Sequence, residues 1–129
     1  MDAQAPVWPH VLAELRAGRK QSHWMWFVFP QIAGLGHSTM AQHFAIASRA
    51  EARAYLDHAI LGPRLLEATR LVLAAEDRGA HDIFGSPDDL KFRSSMTLFD
   101  AVAPNDVFAA ALKKYFDGER DPATLERLG

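Results

Sequence analysis

The stretch Ser22-His23-Trp24-Met25-Trp26-Phe27-Val28-Phe29-Pro30-Gln31 decides the fold. It holds two of the three tryptophans and two of the eight phenylalanines of the chain. Each aromatic side chain buries about 150–250 Å² when it is packed, so this run must supply much of the core. Its indole N–H and imidazole groups also need partners wherever they are buried. The run therefore reads as the centre of the core, the wall of a pocket, or both. Its apolar residues are continuous, so periodicity does not separate helix from buried strand. The helical character of its surroundings favours a short helix ended by Pro30.

Working outward, Pro9 stands at a first helical position, helix formers follow through Ala17, and Gly18 suits the residue just past a helix end. Arg19-Lys20-Gln21 then leads into the aromatic run. Downstream, Ser38 suits the cap of a helix over 39–47. Ser48 and Glu51 have the spacing of a capping box. Gly62-Pro63 opens a helix whose apolar stripe runs to about Glu76. Ile83-Phe84-Gly85 reads as a short hydrophobic turn. Ser86-Pro87-Asp88-Asp89 reads as a helix start, with Ser86 as cap and two acids on the positive end of the dipole. Asn105 or Asp106 caps another helix, and Asp121-Pro122 opens a last turn. Strand signals are scarce. The expectation is one compact all-α domain over residues 1–129, with about six to eight helices.

Composition narrows the function classes. Hydrophobic residues make up 49 % and charged residues 23 % of the chain, ordinary values for a globular protein. The formal net charge of −2 gives no electrostatic reason to expect duplex nucleic acid. Absence of cysteine excludes disulfides, thiolate catalysis and Cys-based zinc sites. Met1-Asp2-Ala3-Gln4-Ala5-Pro6 lacks the basic and apolar regions of a signal peptide, and no apolar run approaches the ~20 residues of a membrane span. A cytoplasmic protein with no membrane partner is the expectation. The histidines His10, His23, His37, His43, His58 and His81 have no zinc-motif spacing, so no metal is expected, and no cofactor is expected either.

Three features suggest a ligand. His23 borders the aromatic run, where Trp24 and Trp26 offer ring faces. Gly34-Leu35-Gly36-His37-Ser38 opens a helix with free N–H groups, and Arg19 and Lys20 precede it. Lys91-Phe92-Arg93-Ser94-Ser95-Met96-Thr97 places an unusual polar load inside a helix, where serine and threonine are mediocre formers; close helix packing is the first account of that load and a ligand the second. Together these predict a cleft between the aromatic run and the 91–97 helix that takes a nucleotide-like, phosphate-bearing molecule. Arg19, Ser22, Trp24, Trp26, Gln31, Gly36, Ser38, Ser94 and Ser95 would bind it, and Lys20, His23 and Lys91 would carry any catalysis. The rival expectation is a non-catalytic interaction module, with Trp8, Tyr115 and Phe116 forming an exposed apolar patch that joins two copies as a homodimer or takes a protein partner.

The block from Gly18 to Gln31 resembles the hallmark of a small bacterial family of unknown function whose members are often labelled "calpastatin". Further matches are Glu51-Ala52-Arg53-Ala54-Tyr55-Leu56-Asp57-His58, Leu61-Gly62-Pro63-Arg64-Leu65 and Ile83-Phe84-Gly85. The resemblance covers nearly the whole chain and implies a multihelical fold with no established activity. Members commonly start several residues earlier, which implies a shortened or restarted first helix here. A more distant likeness in the order of elements links the chain to NADAR proteins, which act on ADP-ribose and riboside-phosphate N-glycosides. Ala41-Gln42-His43-Phe44 stands where that likeness calls for a glutamate.

Overall fold

A computed structural model describes residues 3–128 and contains nine helices among them. They are α1 (Trp8–Arg16), α2 (Met25–Val28), α3 (Thr39–Phe44), α4 (Arg49–Asp57), α5 (Leu61–Ala74), α6 (Ala80–Phe84), α7 (Asp88–Val102), α8 (Val107–Phe116) and α9 (Pro122–Leu128). The described residues form no strand. A single isolated bridge pairs Ile32 with Ile46. The domain is all-α, as the sequence implies.

The long helices α5 and α7 are the axis of the packing. Helix α7 touches α4, α6, α8 and α9, while α5 touches α1, α4 and α8. Phe92, Ser95, Met96, Thr97, Leu98 and Phe99 of α7 are all fully buried. A helix buried on so many sides needs small polar residues as well as large apolar ones, and its threonine answers by bonding back into the helix. Thr97 Oγ1 donates to the Arg93 carbonyl at 2.9 Å, as Thr69 of α5 does to the Leu65 carbonyl at 2.8 Å.

The aromatic run enters this core through α2. Trp24 and Phe29 are each 1 % exposed. Phe29 lies edge-on to Phe84 at 5.9 Å and to Phe92 at 5.0 Å, the favoured arrangement for ring quadrupoles. Helix α2 is only four residues long and stops before Pro30.

Several element boundaries differ from the reading above, each for a visible reason. Helix α3 ends at Phe44 because Ile46 N donates to the Gln31 carbonyl and Ala33 N to the Ile46 carbonyl, which holds the chain extended there. Residues 80–84 form a ninth helix rather than a turn, started by Asp82, whose carboxylate accepts the Gly79 N–H at 2.9 Å. Ser86 does not cap α7. Pro87 occupies the cap position without a side-chain bond, and the Pro87 carbonyl accepts from Leu90 and Lys91. Of the two candidates for α8, Asp106 is the cap and accepts from Val107 N at 2.7 Å. Ser48 accepts the Glu51 N–H as a capping box requires, but the Glu51 carboxylate reaches back to Ala47 N, one residue further than usual.

Candidate functional site

The loop before α2 and the first turn of α7 meet at Asp88. Lys20 Nζ sits 2.9 Å from Asp88 Oδ2, and Lys91 Nζ 3.6 Å from Asp88 Oδ1. Each ammonium also lies over an indole, Lys20 at 5.1 Å from the Trp24 ring centre and Lys91 at 5.4 Å from that of Trp26. Lys20 is nearly enclosed, with 8 % of its side chain exposed, and it donates to the Ser22 carbonyl at 2.6 Å. Lys91 is 29 % exposed and is the freer of the two. The structure thus gathers Lys20, Ser22, Trp24, Trp26 and Lys91 into one group. Asp88, which the sequence assigns to the helix dipole, is at its centre and serves both purposes.

Glu14 of α1 organises the loop beneath this group. Its Oε1 accepts from Gln21 N, Ser22 N and Trp24 Nε1, and its Oε2 from Ser22 Oγ. Burial alone would raise its pKa. The backbone donors of Gln21 and Ser22, with the side chains of Ser22 and Trp24, outweigh that and hold it below the ordinary value. No linear motif marks Glu14, because its partners lie a loop away and are mostly backbone groups.

The other nominated residues stand apart in their bonding. His23 and Arg19 are exposed. Gln31 accepts through its backbone from Ile46. Gly36 lies so close to α3 that an added Cβ would be 2.5 Å from the Ala41 Cβ. Ser38 caps α3, accepting from Ala41 N at 3.1 Å. Ser94 donates to the Asp121 carboxylate at 2.8 Å, tying α7 to the chain before α9. Ser95 is wholly buried, and its hydroxyl has no partner among the described residues. Trp8, Tyr115 and Phe116 are half-buried against the core. Trp8 lies under the Arg64 guanidinium and the Tyr115 hydroxyl donates to the Val72 carbonyl.

A cleft of about 200 Å³ opens elsewhere, between α2, α3 and α4. Its lining includes Phe27, Phe44, Tyr55, Gln4 and Glu51. These residues come from four separate segments, so no stretch of sequence announces the cleft. Gln4, in the turn before α1, is 2 % exposed and bridges Phe27, Tyr55 and Arg64. Among the described residues no three histidine, aspartate or glutamate side chains cluster closely enough to hold a metal ion. Among the same residues no helix is long and apolar enough to cross a membrane.

Fold and site together define a small multihelical protein with a lysine–tryptophan face and a separate aromatic cleft. The chain belongs to the family described as "Protein of unknown function (DUF1810)", which matches residues 1–128. It is similar to the conserved hypothetical protein Rv1873 from Mycobacterium tuberculosis, whose crystal structure superposes with a TM-score of 0.96 at 54 % sequence identity. That match covers 98 % of this chain and 91 % of the other. No curated protein matches the chain. Neither match carries the calpastatin label or the likeness to NADAR proteins.

Proposed function

We propose that the chain binds a nucleotide-like, phosphate-bearing small molecule on the face where Lys91 lies over Trp26. One observation carries this reading: a partly exposed ammonium and an indole face stand together, with the ammonium 5.4 Å from the ring centre. Lys91 holds Asp88 more loosely than Lys20 does, at 3.6 against 2.9 Å. A phosphate would draw Lys91 off Trp26 and leave the indole free for a base to stack on. Lys20 stays closed on Asp88 and keeps the loop in place. The exposed Ser22 and His23 lie in that loop; the Ser22 hydroxyl, whose proton goes to Glu14, accepts from a ribose hydroxyl, and the His23 ring supplies a second bond.

The catalytic version of this reading is hydrolysis of an N-glycosidic bond in such a ligand. Water attacks the anomeric carbon as the glycosidic C–N bond breaks, His23 gives the departing base its proton and takes one back from the water, Lys91 serves as electrophile on the phosphate, and Lys20 positions Asp88. Calorimetry with ADP-ribose, NAD and simple riboside phosphates tests the binding. Uptake of any of these by the wild type, lost in Lys91→Ala without a change in melting temperature, supports the reading. No heat at millimolar concentration from all of them ends it.

A further inference from the structure

The cleft between α2, α3 and α4 takes no part in the reading above. Phe27 and Phe44 meet edge-to-face at 5.3 Å and make an apolar corner, and Pro30 and Ile46 also line the cleft. Its volume of about 200 Å³ exceeds the roughly 150 Å³ known to admit a benzene molecule in another protein. A monocyclic ring with one or two substituents fits that space.

Two polar groups face this space from the same helix. Glu51 and Tyr55 are four residues apart on α4, so they lie on one face a single turn from each other. The Tyr55 hydroxyl accepts from Gln4 Nε2 at 3.1 Å. Its own proton finds only the Phe27 carbonyl at 3.4 Å, and that oxygen already takes the Gln4 amide. Such a bond is well beyond the usual O–H···O length of about 2.5–3.0 Å, so the donor is largely unspent. Burial pushes the Tyr55 pKa up to about 12, against the Gln4 hydrogen bond and the Arg64 charge, so the proton stays on at neutral pH. Glu51 spends one oxygen on Ala47 N at 3.0 Å, and the other has no partner among the described residues.

We infer that this cleft binds a small planar ring carrying a hydrogen-bond acceptor beside an N–H donor, as in an aromatic carboxamide or an aminated heterocycle. The acceptor takes the Tyr55 proton and the N–H meets the Glu51 carboxylate, while the ring lies among Phe27, Phe44 and Tyr55. Glu51 repels an anion of the same shape. That repulsion acts at the Glu51 end of the cleft, while the Arg64 charge acts at the Tyr55 end and His43 completes the lining, and the site stands or falls separately from the lysine–tryptophan face.

Backbone chemical-shift titration of the full chain with benzamide and with benzoate tests the assignment. Benzamide is expected to shift the amide signals of Phe27, Phe44 and Tyr55, and benzoate to bind at least about tenfold more weakly. Tyr55→Phe removes one donor and is expected to weaken benzamide about tenfold, the scale of one hydrogen bond. Glu51→Gln, which leaves the ring walls intact, is expected to narrow the gap between the two probes. Equal affinity for benzamide and benzoate overturns the inference. So does a benzamide footprint elsewhere on the chain, or no shift at millimolar concentration.

Discussion

Glu14 Oε1 accepts the indole N–H of Trp24 at 3.2 Å, and through this bond the first helix holds the largest buried side chain of the core. The same carboxylate secures Gln21 and Ser22, so one residue of α1 fixes both the loop and the ring that follows it. Glu14→Ala leaves the enclosed indole N–H without an acceptor, a loss of about 1–3 kcal/mol. Urea unfolding of the variant against the wild type measures it.

The same bonds make stability depend on pH. The pKa of Glu14 is depressed in the folded chain, so its contribution is fully present above the ordinary value of 4.5 and is lost as pH falls through the lower folded value. Melting temperatures taken from neutral pH into acid should fall less steeply for Glu14→Gln than for the wild type below that point. Parallel curves would show that the carboxylate is not held as described.

The two tryptophans of the aromatic run should separate cleanly. Trp24 is 1 % exposed and packs on Phe29 at 6.2 Å, so Trp24→Ala should cost about 3–5 kcal/mol. Trp26 is half-buried beneath Lys91, and Trp26→Ala should cost clearly less. Chemical denaturation of both variants checks the order. A nearly silent Trp24→Ala would remove the ring from the core.

Much of the fold was legible because helix ends are written locally. Pro9, Ser38, Ser48, Asp106 and Pro122 announce starts through the chemistry of one or two residues, and each stands at or next to an observed start. Helix α6 was harder to see because it is a single turn begun by Gly79 and Asp82, too short to show a period. The grouping of Lys20 and Lys91 with the tryptophans was within reach, since a basic hinge beside an aromatic run is visible in sequence. Its keystone Asp88 announces itself in sequence only as a dipole partner. The cleft was not legible at all. Gln4, Phe27, Phe44 and Tyr55 meet only through tertiary packing, and each alone is an unremarkable residue of its own segment.

Gly62 tests how closely α4 and α5 approach. A Cβ on Gly62 would lie 2.0 Å from the Leu56 carbonyl oxygen, a backbone atom that cannot swing aside. Helix propensity favours alanine by roughly 1 kcal/mol at an unhindered position. Here the forced backbone shift should outweigh that gain, leaving Gly62→Ala destabilised by about 1–3 kcal/mol. Thermal unfolding decides the sign.

The final prediction concerns the end of the chain. Asp121 sits before α9 and accepts from Ser94 Oγ at 2.8 Å and Thr124 Oγ1 at 2.6 Å, while its own N–H donates to Thr97 Oγ1 at 2.9 Å. Burial would raise its pKa, but the Thr124 and Ser94 bonds, with the Arg93 charge, bring it below the ordinary 3.8. Its contribution to docking α9 is therefore present above that value and lost as pH falls through the folded one. Ser94→Ala removes one hydrogen bond to a charged oxygen and should weaken the attachment of α9 by about 1.5–3 kcal/mol. Hydrogen exchange reads this directly, because amides of α9 should lose protection more than those of α5. Uniform loss across both helices would mean that Ser94 supports the core as a whole, and unchanged protection would mean that Asp121 holds α9 without it.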